Sequence, residues 1–169
     1  MIFKFIGAVI VIITTITLGI LKSREFENRV HYLENMQLCI LQLENEIRYT
    51  QTPIFDALKR VSETTLPVIS KLFNNASKQG TKGETVCAIW TKAVNDISAE
   101  LFCEDSELFV SLGDCLGTTD LEGQIKSIEL FKNKLNQHLQ TAKEVCDKNK
   151  KLYKNLGLYS GLLITVLLL

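Results

Sequence analysis

The two ends of the chain are its most apolar parts, and they limit what it can fold into. Residues 5–21 carry no charge and are flanked by Lys4 and Lys22. At about 1.5 Å per residue a helix over this run measures roughly 26 Å, and flanking lysines extend it to the ~30 Å of a bilayer. The alternative is a cleaved signal peptide, but the run is long for one and residues 17–19 form a poor cleavage site. We therefore predict a retained transmembrane helix over residues 1–22.

The other end, residues 156–169, is also apolar and uncharged. A helix over it measures only about 21 Å, so a buried core helix is the alternative interpretation. Lysines with no acidic residue among them precede it, which is typical of a segment that meets an anionic membrane surface. We predict a second transmembrane helix over residues 152–169. The predicted membrane-anchoring residues at the two ends are Lys22, Arg24, Lys148, Lys150, Lys151 and Lys154.

Gly157 and Gly161 form a GxxxG pair in the second apolar segment. Such a pair lets two helix backbones approach closely. It predicts packing between the two membrane helices or between neighbouring copies, so a homo-oligomer is a further hypothesis. Local packing within one chain is the alternative.

The distribution of basic residues predicts an orientation in the membrane. They are denser after the first apolar segment and before the second, and basic residues favour the cytoplasmic side of membrane helices. Both segments therefore place residues 23–151 in the cytoplasm. In that reducing compartment we expect the five cysteines, which include no CxxC pair, to remain small buried hydrophobic residues.

The predicted cytoplasmic part has helical rather than strand periodicity. An apolar stripe recurs at steps of three and four over residues 24–49: Phe26, Val30, Leu33, Met36, Ile40, Leu43 and Ile47. Shorter helices are expected over residues 53–62, 67–78, 84–97 and 105–116, and a long last helix continues from about residue 121 into the second apolar segment. Thr52 and a capping box of Thr119 with Glu122 are the expected caps. The sequence predicts an all-α bundle of about six helices between two transmembrane helices.

The polar residues form no recognisable catalytic or metal-binding motif. The 19 basic and 19 acidic residues balance, which argues against nucleic-acid binding. No stretch matches the phosphate loop GxxxxGK[ST], and His31 and His138 belong to no metal-binding motif. We therefore predict no catalytic residues, no metal, no cofactor and a protein that is not an enzyme.

One long stretch of the chain lacks basic residues. Between Lys92 and Lys126 every charged residue is acidic. A solvated surface is the simpler interpretation. A docking surface for a basic partner is the other, because complementary charge steers association. Gly113 lies in a predicted helix of this stretch, where glycine costs about 1 kcal/mol relative to alanine, so we expect a close contact there.

Three groups of residues, in order along nearly the whole chain, carry a family resemblance. The first is Leu43-Glu44-Asn45-Glu46-Ile47 with Tyr49, Thr52-Pro53, Ala57-Leu58, Phe73, Trp90 and Ala93. The second is Asp105, Leu108, Leu112-Gly113, Leu116-Gly117, Asp120 and Gln124. The third is Lys151-Leu152-Tyr153, Leu156-Gly157 and Gly161-Leu162-Leu163. In their order and spacing they resemble the stage III sporulation protein AB family of endospore-forming bacteria.

The resemblance implies a mother-cell membrane protein that acts at the engulfment stage of spore formation. It further implies membership of a secretion-like complex between mother cell and forespore, with stage III sporulation protein AA, an ATPase, as partner. The domain would be similar to the platform protein of type II secretion and type IV pilus systems. From the clustered acidic charge and the density of the family's motifs, the residues expected at the partner contact are Glu104, Asp105, Glu107, Gly113, Asp114, Gly117, Asp120 and Gln124. For the two glycines and Gln124 the alternative is a structural role that holds the fifth and sixth helices together.

A membrane-bound sensor or receptor is the alternative function. Its helical bundle would bind a ligand and relay the signal through the helices that continue into the membrane. Two features of the sequence argue against it. Few residues lie outside the predicted cytoplasmic and membrane parts, and no separate output domain is attached.

Overall fold

The chain is all-α in the computed structural model, which describes residues 2–78, 83–116 and 121–168. The described residues form six α-helices and a short 3₁₀ helix, Ser98–Glu100, and no strand. The α-helices are α1 (Ile2–Arg48), α2 (Ile54–Ser62), α3 (Pro67–Lys78), α4 (Val86–Asn95), α5 (Cys103–Gly113) and α6 (Leu121–Leu168). The all-α prediction is confirmed. The last helix continues through the C-terminal apolar segment as expected, and α1 runs in the same way through the N-terminal one.

The chain divides into two compact units. One comprises residues 31–139, and the other comprises residues 1–30 with residues 140–169. In the part of the chain that the structure describes, no helix holds an apolar stretch of the length needed to cross a membrane. The two transmembrane helices therefore stay predictions.

The core of the unit 31–139 is built from one face of each helix. On α1 the buried face holds Leu33, Met36, Ile40, Leu43 and Ile47, as the sequence stripe predicts. Helix α2 packs against α3, α3 against α4, and α4 against α5. At the centre, the rings of Phe73 and Trp90 meet edge to face with centroids 5.2 Å apart. The Trp90 indole Nε1 donates a 2.7 Å hydrogen bond to the buried carbonyl of Phe109, so this large polar ring is fully satisfied inside the core.

Helix ends are where the structure departs most from the sequence prediction. Pro53, rather than Thr52, occupies the N-cap of α2, and no side chain caps it. Helix α4 starts at residue 86 because the Thr85 side chain caps it, accepting a 3.3 Å hydrogen bond from the Ala88 amide. Helix α5 begins and ends earlier than expected, at Cys103 and Gly113. The predicted capping residue Thr119 lies outside the described residues.

The unit of residues 1–30 and 140–169 pairs a segment of α1 with a segment of α6. The rings of Phe26 and Tyr153 stack with centroids 5.9 Å apart. Gly19 and Ser23, four residues apart on α1, are buried. Since residues four apart share a helix face, these two small residues form a close-packing surface that sequence reasoning missed.

Candidate functional site

Three exposed carboxylates lie on one side of α5. Glu104 and Glu107 belong to the helix and Asp114 is its C-cap. Asp114 keeps a helical backbone, so at about 100° per residue the three fall within an arc of roughly 80°. We call these three residues the acidic face. Two of its members, Glu104 and Glu107, border an open cleft of about 460 Å³ between α5 and α6. Part of the acidic stretch predicted from the sequence is therefore a real surface of the folded chain.

Asp105 lies in the same stretch but does not belong to this surface. Its side chain is 3% exposed and contacts the Nδ1 atom of His138 on α6 at 3.1 Å. The reason is its position on the helix. Leu108, Phe109 and Leu112 form the buried face of α5, and Asp105 precedes them by three, four and seven residues, which places it on that face. Asp105 therefore links α5 to α6, and we leave it out of the surface proposed below.

Helix α6 adds positive and titratable groups to the cleft. Lys134 and His138 of α6 line the cleft opposite Glu104 and Glu107. Ser111 of α5 also lines it. These α6 residues are distant in sequence from α5, and no local pattern indicates that they face it. The cleft is consequently of mixed charge, whereas the sequence stretch alone suggests a uniformly acidic one.

Gly113 has an internal role. A Cβ atom on this residue would lie 3.1 Å from Trp90 Cδ1 and 3.3 Å from the Cys87 carbonyl oxygen. The close contact expected from the sequence is therefore the packing of α5 on α4. Next to it, the Cys87 thiol donates a 3.4 Å hydrogen bond to Asp114, and burial together with the Asp114 carboxylate raises the pKa of that thiol.

Gln124 lies away from the acidic face. It borders a different cleft, of about 300 Å³, with Ile47, Gln51 and Ile54 at the turn between α1 and α2. Along α6, Gln124 and His138 are separated by about 21 Å at ~1.5 Å per residue. The predicted contact residues therefore do not form one surface. Gly117 and Asp120, which belong to the same prediction, lie outside the described residues.

Glu44 and Glu46, from the first motif of the family resemblance, have structural partners. Glu44 is buried, and its carboxylate binds Lys132 of α6 at 2.8 Å and Arg48 at 3.2 Å. This joins α1 to α6 in the unit 31–139.

Glu46 holds the turn between α1 and α2. Its carboxylate accepts hydrogen bonds from Thr50, Thr52 and Arg60 at 3.1, 2.9 and 2.9 Å. The hydrogen bond from Thr52 is the main reason that the pKa of Glu46 lies below its ordinary value. Thr52 thus binds a side chain instead of capping α2. Gln51 beside it has φ 48°, a left-handed conformation that costs a non-glycine residue free energy.

Two of the predicted anchoring lysines are paired with glutamates. Lys22 binds Glu25 at 2.5 Å and Lys150 binds Glu27 at 2.7 Å, and all four side chains lie at least partly at the surface. Arg24, Lys148 and Lys151 are exposed. Lys154, Gly157 and Gly161 lie within α6.

The cysteines are not uniformly buried, which corrects the sequence expectation. Cys39 and Cys146 are buried, Cys87 and Cys115 are half-buried, and Cys103 is exposed at the start of α5. All five are free thiols. Over the described ranges, no group of three or more His, Cys, Asp or Glu side chains is placed to hold a metal ion.

These features define the class of the chain as an all-α protein with charged and polar clefts between its helices. The chain belongs to the stage III sporulation protein AB family, whose model matches residues 4–169. This confirms the resemblance found in the sequence motifs.

Individual relatives agree with the family assignment. Stage III sporulation protein AB of Bacillus subtilis (strain 168) is 28% identical over 169 residues, which cover 98% of this chain and 99% of the relative. A solved structure titled stage III sporulation protein AB matches with a TM-score of 0.66 at 23% identity, covering 71% of this chain and 97% of that one. At that identity the match supports the fold. The names of the family and of these relatives refer to a stage of sporulation and to no reaction.

Proposed function

We propose that this protein is a non-enzymatic adaptor of a secretion-like complex between mother cell and forespore. Its apolar ends would anchor it in the mother-cell membrane around the forespore, with the central helices in the cytoplasm. By similarity to the platform protein of type II secretion and type IV pilus systems, the central helices would bind the ATPase stage III sporulation protein AA. The family assignment supports the connection to sporulation.

The acidic face is the observation that carries the proposal. Glu104 and Glu107 of α5 and Asp114 at its C-cap are exposed, and every charged residue between Lys92 and Lys126 is acidic. Lys134 and His138 of α6 line the cleft beside Glu104 and Glu107, so the proposed docking surface is the outer, exposed side of these carboxylates. Surfaces of one charge accelerate association with a partner of the opposite charge and fix its orientation. A basic surface on the ATPase is the partner chemistry that this face fits.

Charge reversal on the acidic face tests the proposed docking. The variant carries Glu104→Lys and Glu107→Lys, and its affinity for the ATPase is measured with the full-length chain. We expect binding to weaken by about tenfold to a hundredfold, mainly through a slower association rate that depends on salt. The lost attraction is electrostatic, so helicity should not change.

A matched control separates local from overall charge. Asp56→Lys combined with Glu63→Lys changes the net charge equally, at exposed positions on and beside α2. This control should bind the ATPase like the wild type. Unchanged binding by the α5 variant, or equal loss in both variants, would refute docking through the acidic face.

The exposed thiol of Cys103 tests the proposed topology independently. A membrane-impermeant maleimide should label it only after the cell membrane is permeabilised, because the central helices would lie in the cytoplasm. A Cys103→Ser variant identifies the signal that comes from this thiol. Labelling of Cys103 in intact cells would overturn the cytoplasmic placement.

A further inference from the structure

Exposed apolar side chains concentrate on one side of the unit 31–139. Leu38 and Leu41 of α1 are 65% and 48% exposed, and Tyr49, the first residue after this helix, is 74% exposed. Leu66, 41% exposed, lies beside them, because its backbone amide donates a 3.1 Å hydrogen bond to Asn35 of α1. We call Leu38, Leu41, Tyr49 and Leu66 the apolar strip. Leu130 on α6 is the other large apolar residue exposed among the described residues of this unit.

The strip is a continuous feature of α1 rather than scattered exposure. The amide of Tyr49 bonds to the Asn45 carbonyl and so continues the helical pattern of α1 by one residue. At about 100° per residue, Leu38, Leu41 and Tyr49 therefore fall within an arc of roughly 80°, over a length of about 16 Å. The buried stripe of α1 occupies the other side of the helix. Clustered exposed apolar residues of this kind mark interaction surfaces, whereas single ones need no explanation.

The middle of the strip is uncharged. Residues 35–43 contain no charged side chain, and the exposed Asn45 adds an amide to this face. The charged side chains nearest its two ends are opposite in sign: Glu34 lies one turn before Leu38, and Arg48 lies just before Tyr49. An amide both donates and accepts hydrogen bonds, so identical amides can pair with each other.

We propose that the apolar strip is the contact between two copies of this chain. A two-fold interface brings the same surface of both copies together, so the surface must be self-complementary. The strip meets this requirement because its middle is apolar and amide, and because Glu34 and Arg48 at its two ends are opposite in sign, so that two antiparallel copies bring unlike charges together. The acidic face does not, since its carboxylates would meet like charges.

The size of the strip indicates a weak pairing. A length of about 16 Å gives less area than the ~800 Å² that each partner contributes to a standard stable interface. We therefore expect a concentration-dependent dimer. The pairing depends neither on membrane anchoring nor on ATPase binding, so it can fail while the proposed function holds, and the reverse.

Photocrosslinking between two differently tagged full-length copies tests the pairing. A photoreactive phenylalanine analogue replaces Leu38, and the two tagged chains are produced together. We expect a crosslinked product that carries both tags. The matched control places the analogue at Leu130, which is similarly exposed on α6 (59%), and should give at least tenfold less of that product.

Substitutions in the strip provide a second measurement. With the analogue at Tyr49, Leu38→Lys and Leu41→Lys together should reduce the doubly tagged product at least tenfold, whereas Leu130→Lys should leave it unchanged. Far-UV circular dichroism checks that both variants keep the wild-type helicity. The absence of a doubly tagged product from position 38 in the otherwise unaltered chain would overturn the proposal. Crosslinks from that position to lipid or to another protein alone would overturn it as well.

Discussion

Replacing Gly113 by alanine sets two effects of opposite sign against each other. Alanine favours the helix over glycine by about 1 kcal/mol. The added Cβ, however, would lie 3.1 Å from Trp90 Cδ1 and 3.3 Å from the Cys87 carbonyl oxygen. Trp90 is fully buried and held by its hydrogen bond to Phe109, and the Cys87 oxygen belongs to the backbone of α4. Neither group moves easily, so the steric cost should decide the sign.

The expected net effect is destabilisation. Overpacking a tight core typically costs about 1–3 kcal/mol, which exceeds the ~1 kcal/mol gain in helix propensity. We expect Gly113→Ala to lower the free energy of unfolding by about 1 kcal/mol and Tm by about 2–4 °C for a chain of this size. Thermal and urea unfolding of the full-length chain, followed by far-UV circular dichroism, would measure both quantities.

An exposed helical position supplies the control for the propensity effect alone. Asn133 is exposed on α6, so Asn133→Ala should stabilise the chain by a few tenths of a kcal/mol, up to ~0.7 kcal/mol. If Gly113→Ala also raised Tm, then α4 and α5 could separate without cost. The close approach of these helices would then not be the reason for glycine at this position.

Further predictions concern the ionisable and thiol groups. Glu44→Gln should lower the free energy of unfolding by about 1–2 kcal/mol, because it removes the buried charge that Lys132 binds at 2.8 Å. Urea unfolding measures this change. An unchanged unfolding midpoint would show that the ion pair between α1 and α6 does not stabilise the fold. Since the pKa of folded Glu46 lies below its ordinary value, its stabilising contribution is present above the unfolded pKa of about 4.3 and is lost as pH falls through the folded pKa. The difference in Tm between wild type and Glu46→Gln should therefore shrink between about pH 6 and about pH 3, and a constant difference would refute this. Burial raises the pKa of Cys39 to about 12. At about pH 8 a thiol reagent should therefore modify Cys103 in the native chain and leave Cys39 unmodified until the chain is denatured. Mass spectrometry distinguishes the two sites, and modification of Cys39 in the native chain would show that α1 opens.

Local patterns were sufficient to predict the helices and insufficient to predict which residues meet. The step of three and four residues identified the buried stripe of α1, including Leu33 and Met36. The same rule places Asp105 on the buried face of α5 with Leu108. The number of acidic residues in the stretch, by contrast, does not distinguish a buried carboxylate from an exposed one. Leu38 and Leu41 also carried a signal, since they are apolar residues that the buried stripe does not use.

The sequence by itself determined the helical class, the apolar ends and the family, because each depends on periodicity, length or the order of motifs along the chain. Only the tertiary structure decided that Asp105 faces His138, that Gln124 lies far from the acidic face, and that Gly113 makes room for Trp90. These outcomes depend on how helices distant in sequence pack against one another. Packing brings side chains of different helices together, and the residue spacing within one helix does not specify which side chain of another helix each of its residues will contact.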